Sequence, residues 1–225
     1  MEPNAKTIVL GISSVVGTMG VTIFTCAGTL RFWQGWLFLA VYAACSTVIV
    51  VYARRRDPGL LQRRMRGGPF AEPEPSQRLI MLVVTAGFLG LLVVAGLDRR
   101  WGWSHSPPVV ALAGDATFVA GISLVALVLL QNSFAAATVA VFPGQRVVTT
   151  GAYAIVRHPM YAVSGVMLAG IPLALGSYYA LAVLGLLAPA LIWRLLDEER
   201  YLAARLPGYR EYMSKTPWRL VPGIF

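Results

Sequence analysis

The sequence predicts a polytopic all-α integral membrane protein, and three observations carry that prediction. Hydrophobic residues make up 57% of the 225 and charged residues only 13%, with a mean hydropathy of +0.66, a balance that a water-soluble fold cannot hide. The apolar residues gather into runs of about 17 to 25, the length that crosses a hydrocarbon core of about 30 Å as helix. Those runs do not alternate polar with apolar positions, which excludes a transmembrane barrel.

The first run, 8–30, is too long for the apolar core of a signal peptide, and a second follows almost at once, so it reads as a retained helix. The second, 32–52, ends in Arg54, Arg55 and Arg56. Residues 53–78 then hold seven arginines together with Gly67, Gly68, Pro69, Pro73 and Pro75, and read as a polar cytoplasmic connector. Its Pro/Glu patch from Glu72 to Pro75 is the one low-complexity stretch. Spans three and four cover 79–97 and 108–130 on either side of a short loop, and residues 131–159 lack a membrane-length run. Two stretches just long enough to cross, 160–176 and 178–193, form a tight helical hairpin at Gly176 and Ser177, and a charged amphipathic tail occupies 194–225. The total is about six spans, or five if the last two stretches are re-entrant. Residues 1–225 read as a single membrane domain with no internal repeat.

The formal charge of +9 would suggest nucleic acid in a soluble protein; in a membrane protein it reports topology. With the arginine-rich connector in the cytoplasm, only Arg31, Arg99 and Arg100 among the basic residues fall outside, and both termini fall inside. No nucleic-acid partner is expected, and the protein is expected in the inner membrane of a prokaryote. Cys26 and Cys45 sit at different depths in two apolar runs, so no disulfide is expected. His105 and His158 are far apart, which leaves no Cys/His set for a metal. Trp33, Trp36, Trp101 and Trp103 fall near external helix ends as interface anchors, and His105 reads as a solvated loop residue. Gly165 and Ala169, four apart in one span, permit a close helix contact without naming its partner, so oligomeric state is open.

The segments flanking the final hairpin return to the same side and can meet. In the first, Pro159 pushes His158 toward extended geometry and suits the first turn of the following helix, which presents Arg157 and His158 at a helix N-terminus suited to a carboxylate or phosphate. The bland alternative has both residues facing lipid headgroups. In the second, Arg194, Glu198, Tyr201 and Arg205 share one helical face beside a stripe of Leu191, Leu195, Leu202 and Leu206. Taken alone, Arg194 and Glu198 would be a surface pair worth about 0.3 to 0.5 kcal/mol. The acids Asp197, Glu198 and Glu199 follow at headgroup level, where anionic lipids repel them, so a specific cationic partner is expected.

Gly151, Tyr153, Arg157-His158-Pro159 and Tyr161, then a hydrophobic hairpin, then Arg194 with Glu198-Glu199, Tyr209, Tyr212 and Pro222-Gly223, resemble the isoprenylcysteine carboxyl methyltransferase family over about residues 138–225. Phospholipid N-methyltransferases are similar in the same region. The resemblance implies a membrane methyltransferase that uses S-adenosyl-L-methionine and releases S-adenosylhomocysteine. It makes 131–225 the cofactor-binding and catalytic region and leaves 1–130 as scaffold helices. It assigns Gln145, Arg146, Val147, Val148, Tyr153, His158, Pro159, Met160, Tyr161 and Glu198 to the cofactor, and gives Arg194 the catalytic, substrate-binding role of holding the acceptor's carboxylate. Phe142 departs from the pattern, standing where relatives often carry a polar residue. The implied partner is a lipophilic small-molecule or lipidated acceptor reached through membrane lipid. N-methylation of an amine lipid, and a non-catalytic protein that binds lipid or a partner, are the competing functions.

Overall fold

The computed structural model describes residues 4–225 and is built of helices, with no strand among the described residues. Helices α1 (Ala5–Ala27), α2 (Trp33–Arg56), α4 (Pro75–Trp101), α5 (Pro108–Leu129) and α7 (Tyr178–Arg205) are long and apolar enough to cross a membrane. Helix α6 (Pro159–Ala174) has 16 residues, about 24 Å at 1.5 Å per residue, and is the short sixth member. Helix α7 runs 28 residues, about 42 Å, and continues without a break from the apolar stretch into the charged tail. Two short helices complete the set, α3 (Pro58–Met65) and α8 (Tyr209–Lys215).

The connector 53–78 is more ordered than a polar linker. Asp57 caps α3 through Leu60 N–H at 2.8 Å, and α3 buries Leu60 and Leu61 against the bundle. On its other face Arg63 reaches the carbonyl of Ser133, and Arg64 reaches that of Ala136 at 3.0 Å. The connector therefore docks on the loop 131–150, at the arginine-rich end of the bundle.

The bundle closes around Met19, Ile23, Phe38, Leu91, Leu92, Phe118 and Ile171. Its tightest crossing joins α5 to α6. A Cβ on Gly114 would stand 2.1 Å from Ala174 N, one on Gly121 2.4 Å from Met167 N, and one on Gly170 2.5 Å from Phe118 N. Gly165 is exposed with nothing within 4 Å of a Cβ, so the close approach uses Gly170, five residues further on. At the opposite end the buried carboxylate of Asp98 accepts from Ser104 N and Oγ, both 2.6 Å, and from Ser177 Oγ at 2.5 Å, tying the 102–107 loop to the hairpin turn. Trp101, Trp103 and Tyr179 stack at that end, His105 is exposed, and Cys26 and Cys45 are free thiols.

The charge asymmetry predicts which end faces the cytoplasm, and thiol labelling tests it. With Cys26 and Cys45 replaced, Ser214→Cys is expected to resist a membrane-impermeant reagent in intact cells while His105→Cys reacts. The reverse pattern would invert the topology. Gly144 is unsuitable as a labelling position because its φ of +74° strains any side chain.

Candidate active site

Pro159 opens α6, where its fixed φ fits and its missing N–H costs nothing. The turn before it is held by the tail: Arg157 N–H donates to Trp218 O and His158 N–H to Arg219 O, both at 2.9 Å. His158 packs edge-on to Tyr161 at 5.8 Å between ring centres.

Successive helical residues point about 100° apart, so the three acids of α7 serve three different neighbours. Asp197 Oδ2 accepts from Ser76 Oγ at 2.8 Å and Gln77 Nε2 at 2.7 Å at the start of α4. Glu198 Oε2 accepts from the Tyr161 hydroxyl at 2.7 Å. Glu199, 4% exposed, takes Arg157 Nε at 2.5 Å and Arg219 Nε at 2.9 Å, with His158 Nε2 3.3 Å from its Oε1. The cationic partner expected for the triplet thus belongs to Glu199, whereas Asp197 is held by neutral donors and Glu198 by a phenol.

Arg194 does not pair with Glu198 across the helix surface. Its Nη2 donates to Glu72 Oε1 at 2.8 Å and to Ala137 O at 3.2 Å, its Nη1 to Gln77 Oε1 at 2.9 Å, and its Nε to the Tyr161 hydroxyl at 3.1 Å. The physical reason is burial. Glu72 is 1% exposed and Arg194 8%, and a fully desolvated carboxylate binds a guanidinium more strongly than the half-buried Glu198 four residues along the helix, whose Oε2 is already taken by Tyr161. Glu72 also accepts Val139 N–H at 3.0 Å, which fixes the loop to the connector.

Gln145, Arg146, Val147, Val148, Tyr153, His158, Pro159, Met160, Tyr161 and Glu198, drawn from three separate stretches of chain, all line one cleft of about 780 Å³ including its open mouth. Arg194 is not among the lining residues; it stands behind Tyr161. The loop is shaped by a tight turn in which Phe142 N–H donates to Gln145 Oε1 at 2.9 Å and Gln145 N–H returns to Phe142 O at 3.0 Å. The Phe142 ring lies 5.9 Å from the guanidinium of Arg63 and does not line the cleft. Tyr153 is held through its hydroxyl by Asn132 Nδ2 at 3.4 Å and through its carbonyl by the Tyr212 hydroxyl at 2.7 Å.

Burial pushes the phenols of Tyr153 and Tyr209 up from their ordinary range and that of Tyr212 up to about 12, so all three are neutral donors at pH 7. Among the lining residues the buried Tyr209 hydroxyl makes no hydrogen bond with the described residues, whereas His158 Nε2 has Glu199 Oε1 beside it at 3.3 Å. Glu198 Oε1 has no hydrogen-bond partner among them either, while its other oxygen is fixed by Tyr161. The cleft therefore combines one oriented carboxylate, the unpaired Tyr209 hydroxyl and apolar walls from Val147, Val148, Met160 and Leu202.

Sequence reasoning passed over Glu72, Gln77 and Arg64. Glu72 was visible as an acid between arginines and prolines, but no spacing connects it to Arg194, 122 positions away. Tyr209 and Tyr212 were legible as part of the tail motif, without a role.

The cleft is sunk into the arginine-rich end of a helical bundle whose long helices have membrane-crossing length. Residues 112–204, from within α5 to near the end of α7, match the model of the isoprenylcysteine carboxyl methyltransferase (ICMT) family. The matched stretch holds the His158 turn, Tyr161, Arg194 and Glu198. No curated protein matches the chain.

Proposed function

We propose that the protein is an S-adenosyl-L-methionine-dependent methyltransferase that esterifies the carboxylate of a lipophilic acceptor. One observation carries this function: two segments distant in sequence, 132–161 and 198–212, converge on a single cleft in which an oriented acid stands beside the buried, unpaired Tyr209 hydroxyl. A structural role alone leaves no reason to bury Tyr209 Oη unpaired, because such a group costs about 1–3 kcal/mol.

The donor set fits the cofactor. Glu198 Oε1 suits its ribose hydroxyls or its ammonium, His158 and Tyr209 suit its carboxylate, and Val147, Val148, Met160 and Leu202 suit the adenine face. The bound cofactor would supply a methyl group on a sulfonium: an acceptor oxygen forms the O–CH3 bond as the S–CH3 bond breaks, and the electron pair returns to sulfur. A carboxylate is already ionised at pH 7, so the chain needs no general base. Its work is to position the acceptor and exclude water. Arg64, which borders the cleft beside Ala136 and Met160 with no ion pair of its own among the described residues, favours an acid over an amine lipid as acceptor, since an amine would carry like charge toward it.

Isothermal calorimetry of S-adenosylhomocysteine with the full-length protein in detergent tests the assignment. Saturable binding to one site is expected, together with transfer of labelled methyl to a prenylcysteine-type acid and not to an ethanolamine lipid. Absence of binding would sink the enzyme reading in favour of a lipid- or partner-binding protein, and transfer to the amine lipid would make it an N-methyltransferase.

A further inference from the structure

We propose that Arg64 anchors the acceptor's carboxylate, and that the acceptor's hydrocarbon chain lies in the apolar groove bounded by α2, α3 and α5. This deepens the methyltransferase reading and rests on it. The groove has a volume of about 1160 Å³ including its open side and is walled by residues such as Val48, Tyr52, Leu60, Leu61, Leu127 and Leu130. Among its lining residues Arg64 alone is charged. The same guanidinium touches the other cavity: its Nη1 donates to Ala136 O at 3.0 Å and lies 3.9 Å from Met160 Sδ, and both Ala136 and Met160 line the cofactor cleft. Arg64 therefore stands in the wall between a groove suited to hydrocarbon and a cleft suited to the methyl donor.

Charge accounting sets Arg64 apart from five other arginines at this end, each beside a carboxylate, while Arg78 and Arg146, which also lack one, are exposed. Glu72 neutralises Arg194, Glu199 serves Arg157 and Arg219, Asp57 lies toward Arg63, and Glu74 takes Arg205. No carboxylate stands within ion-pair distance of Arg64 among the described residues, and its Nε and Nη2 make no hydrogen bond there. Two free nitrogens of a planar fork are what a carboxylate grips in bidentate fashion. Burial opposes the charge on Arg64, yet a guanidinium does not give up its proton, so a desolvated cation is left for an anion to satisfy. Arg194 has no such capacity, because all three of its nitrogens are engaged.

One positive charge at the end of a deep apolar groove matches one negative charge on one long hydrocarbon chain. The occupant is thus a single-chain lipophilic carboxylic acid, with its carboxylate at the Arg64 wall facing Met160 and its chain running between α2 and α5 toward the bilayer.

The test uses the full-length protein in detergent, a radiolabelled prenylcysteine-type acid measured by equilibrium binding and by initial rates, and S-adenosylhomocysteine calorimetry on every variant. Arg64→Gln is expected to weaken acid binding and raise its KM by about 10-fold or more, the worth of a charge-assisted hydrogen bond, with kcat falling less and S-adenosylhomocysteine binding within about twofold. Arg64→Lys, which keeps charge but loses the fork, should fall between. Leu127→Trp, at a lipid-facing groove position 57% exposed, should weaken the long-chain acid without affecting a short-chain analogue. Unchanged acid binding in Arg64→Gln or in Leu127→Trp overturns the proposal, as does loss of S-adenosylhomocysteine binding in Arg64→Gln, which would assign the residue to the cofactor. Equal displacement of the acid by phosphatidylglycerol overturns it in favour of a phospholipid site. Failure of the unmodified protein to bind S-adenosylhomocysteine removes the methyltransferase reading itself, whereas normal cofactor binding with unchanged acid binding removes Arg64 alone.

Discussion

Arg194→Leu is expected to destabilise the protein by about 3–5 kcal/mol, because it strands the carboxylate of Glu72 in the interior without a counter-ion. Glu72 would keep only the Val139 N–H, and Gln77 and Tyr161 would each lose a donor. For a chain of this length such a loss lowers the melting temperature by about 10 °C or more. The double variant Glu72→Leu with Arg194→Leu removes both charges at once and is expected to recover most of that loss, since the cost lies in the unpaired charge rather than in the missing pair. Thermal melts of the two single variants and the double variant in detergent read the coupling directly. Arg194→Leu melting like the unmodified protein while losing turnover would return Arg194 to the acceptor-holding role that its place in the tail motif suggests.

The membrane class, the hairpin and the continuous tail helix were legible because their signals are local. Apolar run length decides a span, and the unbroken 3.6-residue pattern from Leu191 to Leu206 carries α7 past the membrane. The spacing around Arg157-His158-Pro159 also made the turn legible, since Pro159 restricts both itself and the residue before it. What stayed hidden is pairing at a distance. Helical spacing offered Glu198 as the partner of Arg194, while the fold supplies Glu72 from a connector that reads as a solvated, arginine-rich linker. The same connector hides Arg64, whose neighbours Arg63 and Arg66 look identical in sequence; only the docking of α3 on the 131–150 loop turns one of three similar arginines inward without an acid. The division into scaffold before residue 130 and chemistry after it is correspondingly porous, because Glu72, Gln77 and Arg64 all reach the site from the first half.

Glu198→Ala is expected to abolish S-adenosylhomocysteine binding, a loss of about 100-fold or more, while leaving the protein folded. The expectation follows from how the carboxylate is held. Oε2 is fixed by the Tyr161 hydroxyl at 2.7 Å, which orients Oε1, and Oε1 has no partner among the described residues. Two charge-assisted hydrogen bonds from ribose hydroxyls to that oxygen pair, at about 1.5–3 kcal/mol each, account for a factor of this size. Removing the acid leaves the Tyr161 hydroxyl accepting from Arg194 Nε at 3.1 Å but without an acceptor for its own proton, a cost of about 1–3 kcal/mol, so the melting temperature should fall by several degrees while the protein stays folded. Glu198→Gln keeps the shape and an acceptor for Tyr161 but loses the charge, and is expected to bind more weakly by about 10-fold. A purely structural Glu198 predicts the opposite ordering, with a depressed melting temperature in both variants and cofactor affinity unchanged in whatever fraction remains folded. Calorimetry and thermal melts on the same preparations separate the two, and full-strength binding by Glu198→Ala would remove the acid from the cofactor site.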